Sequence, residues 1–148
     1  MQIDDLELPA TGNKTFKSSD MRGKKLVVYF YPKDDTPGCT VEGSDFRDLY
    51  AEFQQLGCEI VGISRDSVSS HEKFKTKLDL PFDLLADEEE KACNLFAVMK
   101  LKNMYGNEVR GIDRSTFLFD ETGKLIHEWR SVKSTGHAQA VLDTLKAL

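Results

Sequence analysis

The sequence predicts an α/β fold in which a central, mixed β-sheet is flanked by helices on both faces. Three observations predict it. Apolar segments of strand length alternate with amphipathic segments of helix length along most of the chain. Residues 26–31 are apolar at every position, the pattern of a strand covered on both faces. Two strand segments near the C-terminus flank a tight turn and precede one last helix, which makes part of the sheet antiparallel.

Each element follows from local pattern. Residues 5–8 and 15–17 flank Thr11-Gly12-Asn13 and predict a small N-terminal β-hairpin extension. The strand over residues 26–31 stops at Pro32, and residues 33–38 form a polar loop containing Pro37 and Gly38. Phe46, Leu49, Tyr50, Phe53 and Leu56 recur at spacings of three and four, so they line one face of a helix that Gly57 ends. Residues 58–64 form a second strand around Ile60, Val61 and Ile63. Asp66 or Ser67 caps a helix with Val68, His71, Phe74 and Leu78 on one side. After Pro81, residues 82–85 predict a short strand. The acidic run at residues 87–90 suits the positive end of a further helix, in which Ala92, Leu95, Phe96 and Met99 face inward. Residues 100–111 are polar and contain glycine, which predicts a loop. Residues 115–119 and 124–129 read as strands joined by Asp120-Glu121-Thr122-Gly123. The last helix starts near Ser134 or Thr135 and buries Ala138, Val141, Leu142, Leu145 and Leu148.

Composition narrows the function classes. With 148 residues and no linker, repeat or low-complexity stretch, the chain predicts one domain over residues 1–148. The net charge of −5 and pI of about 5.2 leave no general electrostatic footprint for nucleic acid or anionic membrane. No apolar run reaches the roughly 18 residues of a membrane span. Residues 1–8 are polar and acidic, so no secretory signal is expected and the cytoplasm is the expected compartment. Three cysteines, Cys39, Cys58 and Cys93, are an odd number with no CxxC spacing. That excludes a disulfide-stapled scaffold and argues against a thiolate zinc site. His71, His127 and His137 show no metal-binding spacing and read as surface or structural residues.

The loop before the first long helix carries the chemistry. It leaves the carboxyl end of a buried strand, where sites collect in open α/β sheets. Thr36 is a good N-cap type and Pro37 suits the first helical position, which puts Cys39 in the first turn. Unpaired N–H groups and the helix dipole favour an anion there, and the thiolate is the nucleophilic form of cysteine. Cys58 opens a core strand and reads as a small buried hydrophobe. Cys93 lies beside the apolar stripe of its helix, which predicts partial burial.

Phe30-Tyr31-Pro32-Lys33-Asp34-Asp35-Thr36-Pro37-Gly38-Cys39-Thr40-Val41-Glu42 resembles the peroxidatic-cysteine signature of the peroxiredoxins, Pro-x-x-x-Thr-x-x-Cys. The form Thr-Pro-Gly-Cys-Thr, with Phe46-Arg47-Asp48 after it, is similar to the bacterioferritin-comigratory-protein or Q-type subfamily. Residues 61–67, 102–106 and 113–118 extend the resemblance over essentially the whole chain. The order of strands and helices, ending in a hairpin and a helix, is that of a thioredoxin-like fold.

The resemblance implies a thiol-dependent peroxidase that acts on hydrogen peroxide or an organic hydroperoxide. Cys39 attacks the peroxide and becomes a sulfenic acid, with no metal, haem, flavin or other cofactor. Arg114 stabilises the thiolate and the developing charge, Thr36 places the peroxide, and Pro32 shields the site. The N–H groups of Gly38 and Cys39 are further donors, and Glu42 orients Arg114. The implied reductant is thioredoxin, glutaredoxin or glutathione, and the implied oligomeric state is a monomer. The sequence departs from the family at recycling. Ser44 stands where many Q-type members carry a resolving cysteine, and none occurs near Phe74-Lys75, the other usual place. Three routes remain open: a single-cysteine cycle with an external thiol, Cys93 as the resolving thiol, or Cys58. A thiol–disulfide oxidoreductase would need a CxxC, which Cys39-Thr40-Val41-Glu42 is not. A non-catalytic thioredoxin-fold redox sensor or adaptor would have no use for Thr36, Cys39 and Arg114 together.

Overall fold

The computed structural model describes residues 2, 3 and 5–148. Three parallel strands form the middle of the sheet: β3 (Lys25–Phe30), β4 (Cys58–Ser64) and β5 (Asp83–Ala86). Their connections are α1 (Pro37–Gln55) and α2 (Val68–Leu78). Right-handed crossovers that step in one direction leave both helices on one face. Beyond β3 the sheet turns antiparallel through β8 (Ser115–Phe119) and β9 (Leu125–Trp129). On the far side, β1 (Glu7–Ala10) and β2 (Lys14–Lys17) pair as the expected hairpin, and Ala10 bridges Leu85. The seven strands therefore run β2-β1-β5-β4-β3-β8-β9, a thioredoxin-like mixed sheet.

Strand β3 sorts the core. Val27 and Tyr29 point to one face, with Phe46 and Phe53 of α1, Phe74 of α2, and Val141 and Leu142 of α4 (His137–Lys146). Leu26, Val28 and Phe30 point to the other face, with Ile3, Leu6, Phe96, Phe117 and Ile112. That second face carries α3 (Lys91–Leu95). Burial on both faces is why β3 shows no polar alternation. Ser67 caps α2 by accepting from Ser70 N at 3.1 Å. Among the described residues no helix is long and apolar enough to cross a membrane.

Four expectations need correction. Residues 100–111 are not a loop: β6 (Met99–Met104) and β7 (Asn107–Ile112) form a separate two-stranded ribbon. Its turn is Tyr105-Gly106, both at positive φ, the conformation that matches strand twist in a two-residue hairpin. Most of the ribbon's side chains are exposed, so no apolar alternation marks it. Second, α3 ends at Leu95, leaving Leu95 exposed and Met99 in a strand. Third, Leu148 is exposed because α4 ends at Lys146. Fourth, Cys93 is wholly buried, since the Asp87 carboxylate accepts the N–H groups of Ala92 and Cys93 and turns α3 inward.

Gly62 in the middle of β4 has a packing reason. A Cβ there would lie 2.8 Å from Tyr29 Cζ and 2.9 Å from Leu84 Cδ2. Gly62→Ala should therefore destabilise the protein by about 1–3 kcal/mol, the usual range for overpacking. Urea unfolding should show a lower midpoint at unchanged slope.

Candidate active site

The site lies where β3 and β8 end side by side, Phe30 opposite Ser115. Pro32 follows β3 and is half-buried. Thr36 takes the extended N-cap conformation, and Pro37 occupies the first helical position, as expected. The Thr36 hydroxyl does not cap the helix, however. It donates to Lys33 O at 2.8 Å and closes the loop on itself. The first backbone bond of the turn is Thr40 N to Thr36 O at 2.9 Å. The N–H groups of Gly38 and Cys39 precede it and have no partner within the helix.

Cys39 is 2% exposed, on the α1 side of the sheet. Arg114 enters from the turn between β7 and β8, where Val132 N donates to its carbonyl at 3.1 Å and pins the backbone. Its Nη2 donates to Cys39 Sγ at 3.4 Å, and its Nη1 donates to Glu42 Oε1 at 2.6 Å. Glu42 is buried, three residues after Cys39 on α1, so both face the same cation. Burial pushes the Glu42 carboxyl up to about 7, against the opposing pull of Arg114. Glu42 Oε2 and the Tyr29 hydroxyl are buried without a hydrogen-bond partner among the described residues.

Gly38 is required by close approach rather than by its backbone angle. A Cβ there would lie 2.8 Å from Ser134 Oγ and 3.1 Å from Arg114 Nη2. Ser134 is thus a wall of the site, which spacing alone did not signal. His137 is a second neighbour, its Nε2 2.7 Å from Thr116 Oγ1. Burial, aided by Arg114, lowers its pKa to about 4 and keeps the ring neutral beside the cation.

The other two thiols are elsewhere. All three cysteines are free. Cys93 belongs to the core on the opposite face of the sheet from Cys39. Burial, with Asp87 beside it, pushes its thiol well above the ordinary range. Cys58 shares the face of Cys39 but pairs with Lys25, at the far end of β3. That is five residues before Phe30, or about 17 Å along the strand. Burial pushes the Cys58 thiol up to about 12.

The family model described as "AhpC/TSA family" matches residues 1–128. The chain belongs to the AhpC/TSA family. It is 53% identical to peroxiredoxin Bcp of Bacillus subtilis over 142 residues, 96% of this chain and 90% of the relative. It is 50% identical to peroxiredoxin Bcp of Xanthomonas campestris over 143 residues, 97% and 89% of the two chains. Among solved structures, the Xanthomonas campestris bacterioferritin comigratory protein superposes with a TM-score of 0.91 at 49% identity, covering 96% of this chain and 90% of that one. That protein is described as having alkyl peroxide reduction activity. A Xylella fastidiosa peroxiredoxin Q variant gives 0.94 at 43% identity, covering 98% and 90%. Within its family the chain is a peroxiredoxin of this Bcp or Q kind, a thiol-dependent peroxidase.

The protonation of Glu42 has a measurable consequence. An unfolded chain releases this proton near the ordinary value of 4.5, and the native chain near 7. Between those values the native state binds more protons, so Glu42 lowers stability as pH rises. Glu42→Gln carries no such titration. From pH 4.5 to 8 its stability relative to the unsubstituted protein should therefore rise, by at most about 3 kcal/mol. Urea unfolding of both proteins at several pH values measures the difference.

Proposed function

We propose that Cys39 is the peroxidatic nucleophile and that this peroxidase works by a single-cysteine cycle on hydrogen peroxide and alkyl hydroperoxides. The observation that carries the first part is the shared Arg114, whose guanidinium touches both Cys39 Sγ and Glu42. A fixed cation and a helix N-terminus both favour the thiolate. The thiolate attacks one peroxide oxygen, the O–O bond breaks, and the departing hydroxide or alkoxide takes up a proton. Cys39 is left as a sulfenic acid. Arg114 is placed to stabilise charge as it leaves sulfur, with the N–H groups of Gly38 and Cys39 as further donors. Thr36 positions the peroxide through its hydroxyl oxygen, and Pro32 screens the loop from water.

The placement of the thiols supports the second part. A disulfide needs Cα atoms within about 7 Å. Cys93 is across the sheet and Cys58 is at its other end. Both are also poor attacking thiols, since burial raises them. A thiol of an external reductant such as thioredoxin, glutaredoxin or glutathione therefore attacks the sulfenic sulfur, water leaves, and a mixed disulfide with Cys39 forms. A second reductant thiol then displaces Cys39 as its thiol and completes the reductant's own disulfide. Three free thiols suit the reducing cytoplasm.

Cys39→Ser should abolish peroxide consumption, read as loss of hydroperoxide in the presence of excess thiol. The double variant Cys58→Ala/Cys93→Ala should keep turnover within about twofold, because alanine suits both buried positions. Mass spectrometry after one equivalent of peroxide should show a Cys39 sulfenic acid or its adduct with added thiol. A Cys39–Cys93 or Cys39–Cys58 disulfide would overturn the single-cysteine cycle.

A further inference from the structure

We infer that Asp34 and His71 form a latch that positions the loop ahead of Cys39, and that its release admits the reducing thiol. The inference rests on the single-cysteine reading above. It starts from an access problem. Cys39 is 2% exposed, so a thiol larger than a peroxide reaches its sulfur when the loop and first helical turn move away.

Asp34 ties that loop to three parts of the fold. Its Oδ1 accepts from the Tyr31 hydroxyl at the end of β3, at 2.6 Å. Its Oδ2 accepts from Ser70 Oγ on α2 at 2.8 Å and lies 2.7 Å from His71 Nδ1. Its backbone N–H donates to Asp66 Oδ2 in the turn after β4 at 2.9 Å, and Asp66 is held in turn by Ser64 Oγ at 2.6 Å. The wholly buried His71 carries the tie onward, since its Nε2 donates to Leu85 O on β5 at 2.9 Å. The ring thus lies between two acceptors. With Nε2–H given to the carbonyl, the 2.7 Å approach of Nδ1 to Oδ2 holds ring and carboxyl group together.

The neighbouring residues show what the latch restrains. Asp35 adopts a φ of 60°, a left-handed conformation that a side chain disfavours. Its surface pair with Lys77 is solvent-exposed and holds it weakly. Next comes Thr36, whose hydroxyl closes on Lys33 O, and then the helix start that carries Cys39. Asp34 is therefore the buried anchor of a loop that is otherwise exposed and strained. Opening leaves the Asp34–His71 pair broken or drags it into water, so the pair sets the balance between the closed, peroxide-reactive form and the open, thiol-accessible one.

A latch differs from a structural pair because it acts on the two half-reactions in opposite directions. The test measures both at one pH by rapid mixing. One rate is Cys39 oxidation by hydrogen peroxide, and the other is reduction of the preformed sulfenic acid by dithiothreitol. Asp34→Asn and His71→Gln should each slow the first and speed the second. Each change should be about tenfold, as expected for loss of a buried hydrogen bond whose partner is left unsatisfied. The double variant should match the singles rather than their product, because either change breaks the same tie. Ser70→Ala removes one hydrogen bond from a helix position that tolerates alanine, and should slow oxidation and speed reduction by about threefold each. If the larger substitutions prevent folding, Ser70→Ala decides the question alone. Rates that stay unchanged, or that fall together with thermal stability, overturn the latch. An unsubstituted protein that forms no Cys39 sulfenic acid overturns the peroxidase reading instead, so the two failures are distinct.

Discussion

The site depends on one partly buried cation, Arg114, shared between a thiol and a carboxyl group. Arg114 reaches Cys39 with one nitrogen and Glu42 with the other. A single guanidinium neutralises one of them fully in a buried setting, and the second charge is then poorly compensated. Burial disfavours the Glu42 carboxylate and so weakens its hold on the cation, which also touches the sulfur. The flat fork of arginine is what allows this division, since it offers two separate N–H directions from a rigid plane. Around it the site is closed by small groups. Gly38 has no side chain to strike Arg114, and Ser134 fills the remaining approach.

The strand that precedes the site explains how these groups meet. Every residue of β3 after Lys25 is buried, and the strand ends where Ser115 pairs with Phe30. The α1 N-terminus after one strand and the Arg114 turn before the other are thereby delivered to one end of the sheet. That part of the fold was legible in the sequence because it rests on strong local signals: an unbroken apolar run, a proline stop, and an N-cap followed by proline. The Cys39, Thr36 and Gly38 cluster is local in sequence and could be read directly. Arg114, seventy-five residues away, entered through the resemblance to a family rather than through spacing.

What the sequence hid has physical reasons. The β6–β7 ribbon buries little, so it lacks the hydrophobic period by which strands are recognised. The side of the sheet that Cys93 occupies depends on crossover geometry and on how Asp87 turns a five-residue helix, neither of which is a pattern along the chain. His71 fell on the apolar side of α2 but, without metal-binding spacing, read only as a surface or structural residue. Its role as a tie between Asp34 and Leu85 requires two contacts distant in sequence. Asp34 lies within the signature itself, where its polar neighbours made it resemble solvated loop.

The burial of Cys39 places two demands on the same loop. In the proposed mechanism a small peroxide meets Cys39 beside Arg114 in a setting that excludes most water, where charge stabilisation is strongest. The same burial excludes a protein or peptide thiol from the oxidised sulfur. An enzyme with a resolving cysteine next to the peroxidatic one escapes this conflict by internal attack. Ser44 stands at the nearby helical position and the remaining thiols lie across or along the sheet, which is why we propose reduction by an external thiol. In the single-cysteine cycle proposed above, this loop closes over Cys39 for the peroxide and opens for the reducing thiol. A loop held by exposed contacts alone would open too readily to protect the thiolate, whereas one buried throughout would never open. An exposed, strained segment with one buried, hydrogen-bonded anchor lies between those limits.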